Sequence, residues 1–186
     1  MKTAVVHITG VAPISTSRAH QTDKLEGESA DAFEKRTWPE KSHYDSEGNV
    51  FIPPMAFKQA LDKAASRLGI KIVGKGNATY TKHFLAGVMC MEPFPLGVKK
   101  DEIKGDWVYC NADGVRGSGT RVWRCFPTLP AGWGGPVKYV VLDDVITKEI
   151  FEKTVRESGS FVGLGRFRPE RGGFYGRFTV DRIDWE

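Results

Sequence analysis

Residues 160–185, SFVGLGRFRPERGGFYGRFTVDRIDW, constrain this chain more than any other stretch. Gly163, Gly165, Gly172, Gly173 and Gly176 lie among Arg166, Arg168, Arg171 and Arg177, with Phe167, Phe174, Tyr175 and Phe178 threaded between them, before the pattern turns to a strand-like alternation. Glycine opens positive φ and lets backbone approach a ligand closely, so successive N–H groups of such a loop can converge on an anion. Arginine adds bidentate charge, and the rings offer faces on which bases stack, a combination suited to single-stranded nucleic acid. The alternative reading is a long hairpin connection whose glycines turn the chain and whose arginines are solvated.

A length of 186 residues with 40% hydrophobic content supports one core, so residues 1–186 read as a single domain. The 27 basic and 23 acidic side chains leave a net charge of +4, which permits nucleic-acid binding without requiring it. Cys90, Cys110 and Cys125 are odd in number and lack C-x-x-C spacing, which points to reduced thiols in a cytoplasmic protein. The start, MKTAVVHITG, is too short and interrupted for a signal peptide, and no apolar run approaches a membrane span.

Residues 2–11 alternate as a first, mid-sheet strand stopped by Pro13. Residues 14–49 turn polar over a length far beyond an ordinary connection, which reads as an inserted arm, either a flap packed through Trp38 and Tyr44 or a loose segment. Residues 55–68 give the clearest helix: Phe57, Ala60, Leu61, Ala64 and Leu68 share one face, while Lys58, Gln59, Asp62, Lys63, Ser66 and Arg67 cover the other. Pro54 and Gly69 punctuate its ends. A polar connection with Lys75, Tyr80 and Lys82 leads to an apolar run, 85–91, that reads as a buried strand. Residues 106–111 and 120–126 form a hairpin, and 137–143 a further strand. Thr147 caps a second helix over 148–158, with Ile146 and Phe151 as a staple and Gly159 as its stop.

Without its insertions this order is strand, helix, strand, strand, helix, strand. It predicts an α+β domain of ferredoxin-like (RRM-like) split βαβ type, with an antiparallel sheet, long insertions and a C-terminal glycine-rich loop. The sheet face of such domains often binds RNA. The segments FIPPMAFKQALDKAASRLG and GLGRFRPERGGFYGRFTV resemble the RAMP superfamily of CRISPR-associated proteins. In that superfamily a first strand and a proline- or glycine-bearing bend precede the first helix, and a glycine-rich loop lies near the C-terminus of an RRM-like domain. The resemblance touches residues 53–58 and 163–176. It implies a protein like the backbone subunits of effector complexes, which hold guide RNA and polymerise along it, or like a processing branch that cleaves it. The implied partners are single-stranded RNA, further copies of the chain and CRISPR-type proteins.

Three basic, aromatic-bearing connections carry the candidate RNA contacts: Lys75, Tyr80 and Lys82; Arg116, Arg121 and Arg124 with Trp123; and Gly163, Gly165, Arg166, Arg168, Arg171, Gly173, Tyr175 and Arg177. Gathered on one side, they would form a groove of cations and stacking faces. A metal-independent ribonuclease using His20 or His43 is the enzymatic alternative, since cleavage needs an acid and a base beside a 2′-hydroxyl. A protein-interaction module working through Trp38, Tyr44 and Trp133 is the third reading. The residues 114–121 lack the lysine and spacing of a phosphate-loop enzyme, and neither a cofactor motif nor a metal cluster emerges.

Overall fold

Alternation in β1 (Lys2–Gly10) sends Ala4, Val6 and Ile8 into the core and leaves His7 and Thr9 on the other face, as period two requires. The computed structural model describes residues 1–115, 117 and 119–186. After β1 the chain forms β2 (Ile14–Ser15), α1 (Ala30–Thr37), β3 (His43–Tyr44), β4 (Asn49–Ile52), α2 (Pro54–Leu68), α3 (Thr81–Gly87) and β5 (Val88–Cys90). There follow β6 (Phe94–Lys99), β7 (Lys104–Asn111), β8 (Arg121–Leu129), β9 (Gly134–Val141), α4 (Lys148–Glu157) and β10 (Phe178–Trp185). The architecture is α+β, with antiparallel sheets ordered β10-β1-β9-β5, β2-β8-β7 and β3-β4-β6. The first strand lies inside its sheet, paired on both edges.

The helix read from periodicity is α2. Phe57, Ala60, Leu61 and Ala64 are buried, and Gly69 ends the helix in the left-handed region at φ 54°. Two residues depart from the pattern: Leu68, in the last turn, is only half-buried, and Lys58, placed on the solvated face, is only 8% exposed. Its ammonium pairs with Asp62 and donates to the carbonyls of Phe84 (3.3 Å) and Leu85 (3.1 Å) near the end of α3. That helix is the cause. Residues 85–91 do not form one buried strand; α3 occupies 81–87 and only Val88–Cys90 joins the sheet. The carbonyls ending α3 need donors, and Lys58 supplies them.

In α4 the Thr147 side chain accepts from the Ile150 N–H, and both Ile146 and Phe151 are buried. Gly159 is not the stop. The chain continues through a wider turn, Ser158–Val162, and reverses at Gly163 (φ 72°, ψ −178°). Gly159 lacks a side chain for another reason, since a Cβ there would collide with the Phe178 carbonyl oxygen. The helices α2 and α4 pack together over the inner face of the β1 sheet.

Residues 14–49 are ordered by a buried charge. Ser29 caps α1, accepting from the Ala32 N–H at 3.1 Å, and α1 carries Glu34, which is 3% exposed. The carboxylate pairs with Lys41, receives Arg124 Nη1 at 3.1 Å and accepts from the Cys125 N–H at 2.7 Å. Trp38 packs beside Gly105 of β7, where no side chain would fit. The arm is therefore fastened to the β7–β8 hairpin. Among the described residues no helix is long and apolar enough to cross a membrane.

Burial works against the charged form of Glu34, yet Lys41, the Cys125 amide and Arg124 together hold its carboxyl below the ordinary 4.5. A depressed carboxyl stabilises the fold above its unfolded value and loses that contribution as pH falls through the folded one. Glu34→Ala should cost about 3 kcal/mol in urea unfolding at pH 7, because it strands Lys41 and a buried amide. The loss should shrink as the pH drops below about 4. An unchanged midpoint at neutral pH would show that the arm is held by something else.

Candidate nucleic-acid interface

The loop between α4 and β10 is tied to the segment that follows β1. Gly176 donates its N–H to the Pro13 carbonyl at 2.7 Å, Arg166 to the Ser15 carbonyl at 2.7 Å, and Leu164 to the Gly176 carbonyl at 3.0 Å. At Gly176 (φ 70°) a Cβ would fall on the Leu164 carbonyl, and at Gly165 (φ 76°) on that of Ser15. Glycine is required at both. Four of the five loop glycines expected to turn their N–H groups toward an anion turn them to protein carbonyls instead. The amides of Gly163, Gly172, Gly173 and Gly176 are given to the carbonyls of Ser158, Pro169, Arg168 and Pro13. A backbone folded this tightly has to pair its own donors. Phe167 stands at φ 47°, the one non-glycine residue with positive φ among those described, and leaves its ring half-exposed at the loop's rim.

The arginines divide by role. Arg166 lies over the Phe126 ring (4.0 Å) and the Tyr175 ring (5.1 Å), donates from Nε to Ser15 Oγ at 3.1 Å, and approaches Asp106 at 3.7 Å. Its side chain is 18% exposed, so it joins the loop to the hairpin sheet and does not grip a ligand. Tyr175 likewise donates to Asp106 at 2.9 Å and is stacked against Phe174 at 4.3 Å. Burial, then Asp106, push its phenol upward. Arg168 binds Glu170 and the Gly165 carbonyl, while Arg171 and Arg177 remain exposed.

A cleft of about 380 Å³ opens beside the loop. Its walls are Thr16, Ser17 and Arg18 of the arm, Gln59 and Lys63 of α2, and Leu164, Gly165, Arg166 and Arg168 of the loop, over a floor of Ile52, Pro53, Ala56 and Ala60. A second depression of about 480 Å³ shares Lys63 and Val162 with it and adds Arg67, Phe161 and Arg177. Counting each residue once, the two are lined by six cations (Arg18, Lys63, Arg67, Arg166, Arg168, Arg177) and one carboxylate, Glu170. The two segments singled out from sequence, 53–58 and 163–176, thus meet at one groove. Arg18, Gln59 and Lys63 were missed as site residues. The spacing 56, 59, 60, 63 of small and polar side chains along one stripe of α2 was the available signal.

The other two basic connections do not join. Lys58 faces α3 while Lys63 faces the loop, and at 3.6 residues per turn those directions lie well apart, so Lys75 and Lys82 belong to another flank of α2. Tyr80 is buried in the core and offers no face for stacking. Arg124 is held by Glu34, and Arg121 donates to the Tyr109 carbonyl at 2.8 Å and covers the Tyr109 ring at 4.8 Å. Arg116 lies outside the described residues. The outer face of the β1 sheet is not a stacking platform either: His7, Thr9, Arg182 and Thr179 there bond to Asp184 or Asp181, or to one another, and no exposed aromatic residue stands on its strands.

Of the histidines, His43 lines the cleft, and burial followed by the charge of Arg18 lowers its pKa from 6.5. His20 is not in the lining; it bonds Thr22 Oγ1 at 3.0 Å and stacks on Phe33. No acid–base pair is assembled from the two. Of the three rings read as protein contacts, Trp133 is buried and donates to the Ala12 carbonyl, while Trp38, packed against the core, and Tyr44, which donates to Glu40, are half-buried.

No family model matches this sequence, and no curated protein matches it. Solved structures do. Cmr6 from Pyrococcus furiosus superimposes with a TM-score of 0.51 at 10% identity, over 97% of this chain and 99% of that one. A chain of a CRISPR RNA-guided surveillance complex aligns with a TM-score of 0.43 at 12% identity, over 98% of this chain and 68% of that one. The likeness to Cmr6 is one of fold, and it runs the length of both chains.

The division of the arginines is open to measurement. Arg166→Met should lower stability by about 2 kcal/mol, through the lost ring contacts and the lost bond to Ser15. Arg171→Ala should stay within about 0.5 kcal/mol of wild type. Equal stability of the two variants in urea would refute the structural role given to Arg166.

Proposed function

We propose that this chain is a CRISPR-associated, RAMP-like subunit that binds single-stranded RNA without cutting it. The observation that carries the reading is the paired groove along α2, whose lining sets five cations, besides the structurally committed Arg166, against one carboxylate, with the exposed rings of Phe161, Phe167 and Phe174 close by in sequence. Charge of that density draws a phosphate backbone, and sequence-tolerant ring faces suit unpaired bases. The fold likeness to Cmr6 agrees with it. A ferredoxin-like core belongs to the same proposal, supported by the order β10-β1-β9-β5 with α2 after the first of these strands in sequence and α4 before the last. So does a cytoplasmic location.

The test is salt dependence. A fluorescent 15-mer of oligouridylate should bind less tightly as KCl rises from 50 to 200 mM. Arg18→Ala with Arg177→Ala, both in the groove lining, should flatten the log–log slope by about 1.4, near 0.7 for each lost phosphate contact. Binding that ignores both salt and the double substitution would rule out the groove. The same RNA, incubated in EDTA, should stay intact; discrete products that vanish in His43→Ala would establish the ribonuclease instead.

Self-association or contact with CRISPR-type proteins is placed on the β7–β8 hairpin, where Trp107, Tyr109 and Trp123 are 41%, 48% and 54% exposed on one face. Such rings are frequent anchors of protein interfaces. Trp107→Ala with Trp123→Ala should abolish any RNA-dependent growth in sedimentation coefficient while leaving RNA affinity unchanged. Persistence of the large species would move the interface elsewhere.

A further inference from the structure

Glu170 occupies the place where the two depressions meet. It sits in the short turn Pro169–Arg171, none of whose residues is buried, and its carboxylate faces the shared wall at Lys63. Three cations converge on it. Lys63 pairs with one oxygen from α2; Arg168 reaches the other from Nε at 3.0 Å and from Nη2 at 2.7 Å; Arg171 stands at 4.0 Å. A planar guanidinium donating twice, with an ammonium opposite, is the donor set that recognises the non-bridging oxygens of a phosphate.

We infer that Lys63, Arg168 and Arg171 form a phosphate subsite which the free protein fills with its own Glu170 carboxylate. The ligand taken is a phosphodiester of the bound strand, so the choice of ligand rests on the RNA reading, whereas the site rests on the convergence of donors. Burial alone would favour the neutral acid, but Lys63 and Arg168 keep Glu170 below its ordinary 4.5, so the internal occupant is charged at neutral pH. Because its turn carries no core side chain, the carboxylate can leave without disturbing the fold. Until it leaves, Lys63 and Arg168 are held by it, while of the other lining cations Arg67 is paired with Glu157 and Arg166 is bonded to Ser15. RNA must therefore compete with a tethered anion, which lowers its apparent affinity and sharpens its discrimination against weaker polyanions.

The expected consequence is a gain of function. Glu170→Gln keeps the shape of the turn and removes the charge, and it should tighten binding of the 15-mer oligouridylate at 100 mM KCl by about fivefold, within the range of a partly exposed ion pair. Adding Lys63→Ala to Glu170→Gln should erase the gain. Thermal melts of each variant verify folding, and a second arm uses inorganic phosphate alone, which should raise the Tm of Glu170→Gln more than that of wild type. Salt-dependent RNA binding by wild type with no gain in Glu170→Gln would overturn the subsite and leave the RNA reading intact. A phosphate response in Glu170→Gln with no RNA binding by either protein would uphold the subsite as a site for free phosphate and overturn the RNA reading. Silence in both arms would overturn both.

Discussion

The structure turns on residues 13–16, a few residues of extended chain that three separate elements use at once. The Pro13 carbonyl accepts from Gly176, the Ser15 carbonyl accepts from Arg166, Ile14 and Ser15 pair with β8, and the Thr16 N–H donates to Pro127. The Ser15 hydroxyl adds bonds from Thr128 and Arg166 at 3.1 Å each. Ile14, Ser15 and Thr16 are all buried, and a buried backbone leaves few donors and acceptors unpaired. Satisfying this one segment fixes the glycine loop, the hairpin sheet and the exit from β1 relative to one another. The groove beside α2 exists because the loop is pinned there.

Buried charge does a different job. Glu34 and Lys58 each sit in the interior with several partners, and such networks add little net stability over well-packed apolar groups. Their effect is on where things dock. Glu34 selects the face of the hairpin against which α1 lies, and Lys58 orients the end of α3 on α2. Both would be costly in any other arrangement, since an unpaired buried charge is far more expensive than a paired one.

What could be read from the sequence was what is local. The stripe of Phe57, Ala60, Leu61 and Ala64, the Thr147 cap and the alternation of β1 are set by residues within a turn or two, and each was found in place. The segments 53–58 and 163–176, which meet at the cleft, were also legible, as composition. Their amides were not. The Gly163, Gly172 and Gly173 amides close turns on residues three to five positions back, whereas Gly176 reaches Pro13, more than 150 residues away, a pairing that no local pattern encodes. The same holds for Tyr80, whose aromatic character fits a stacking face and a core equally well, and for Arg166, whose partners Phe126 and Tyr175 come from a distant strand and a nearby loop.

The position of the groove follows from which surfaces are already taken. One face of the β1 sheet is covered by α2 and α4, and the other carries Asp181 and Asp184 among its polar side chains, so a polyanion gains nothing there. The hairpin's Arg124 is committed to Glu34, and its exposed rings stand with Arg121 already over one of them. At the edge where α2 turns Gln59 and Lys63 toward the loop, six cations gather in the lining with Glu170 as its one carboxylate. Most of the loop's glycine amides are already spent on the loop's own carbonyls and on Pro13, so what this edge offers an anion is chiefly its side chains.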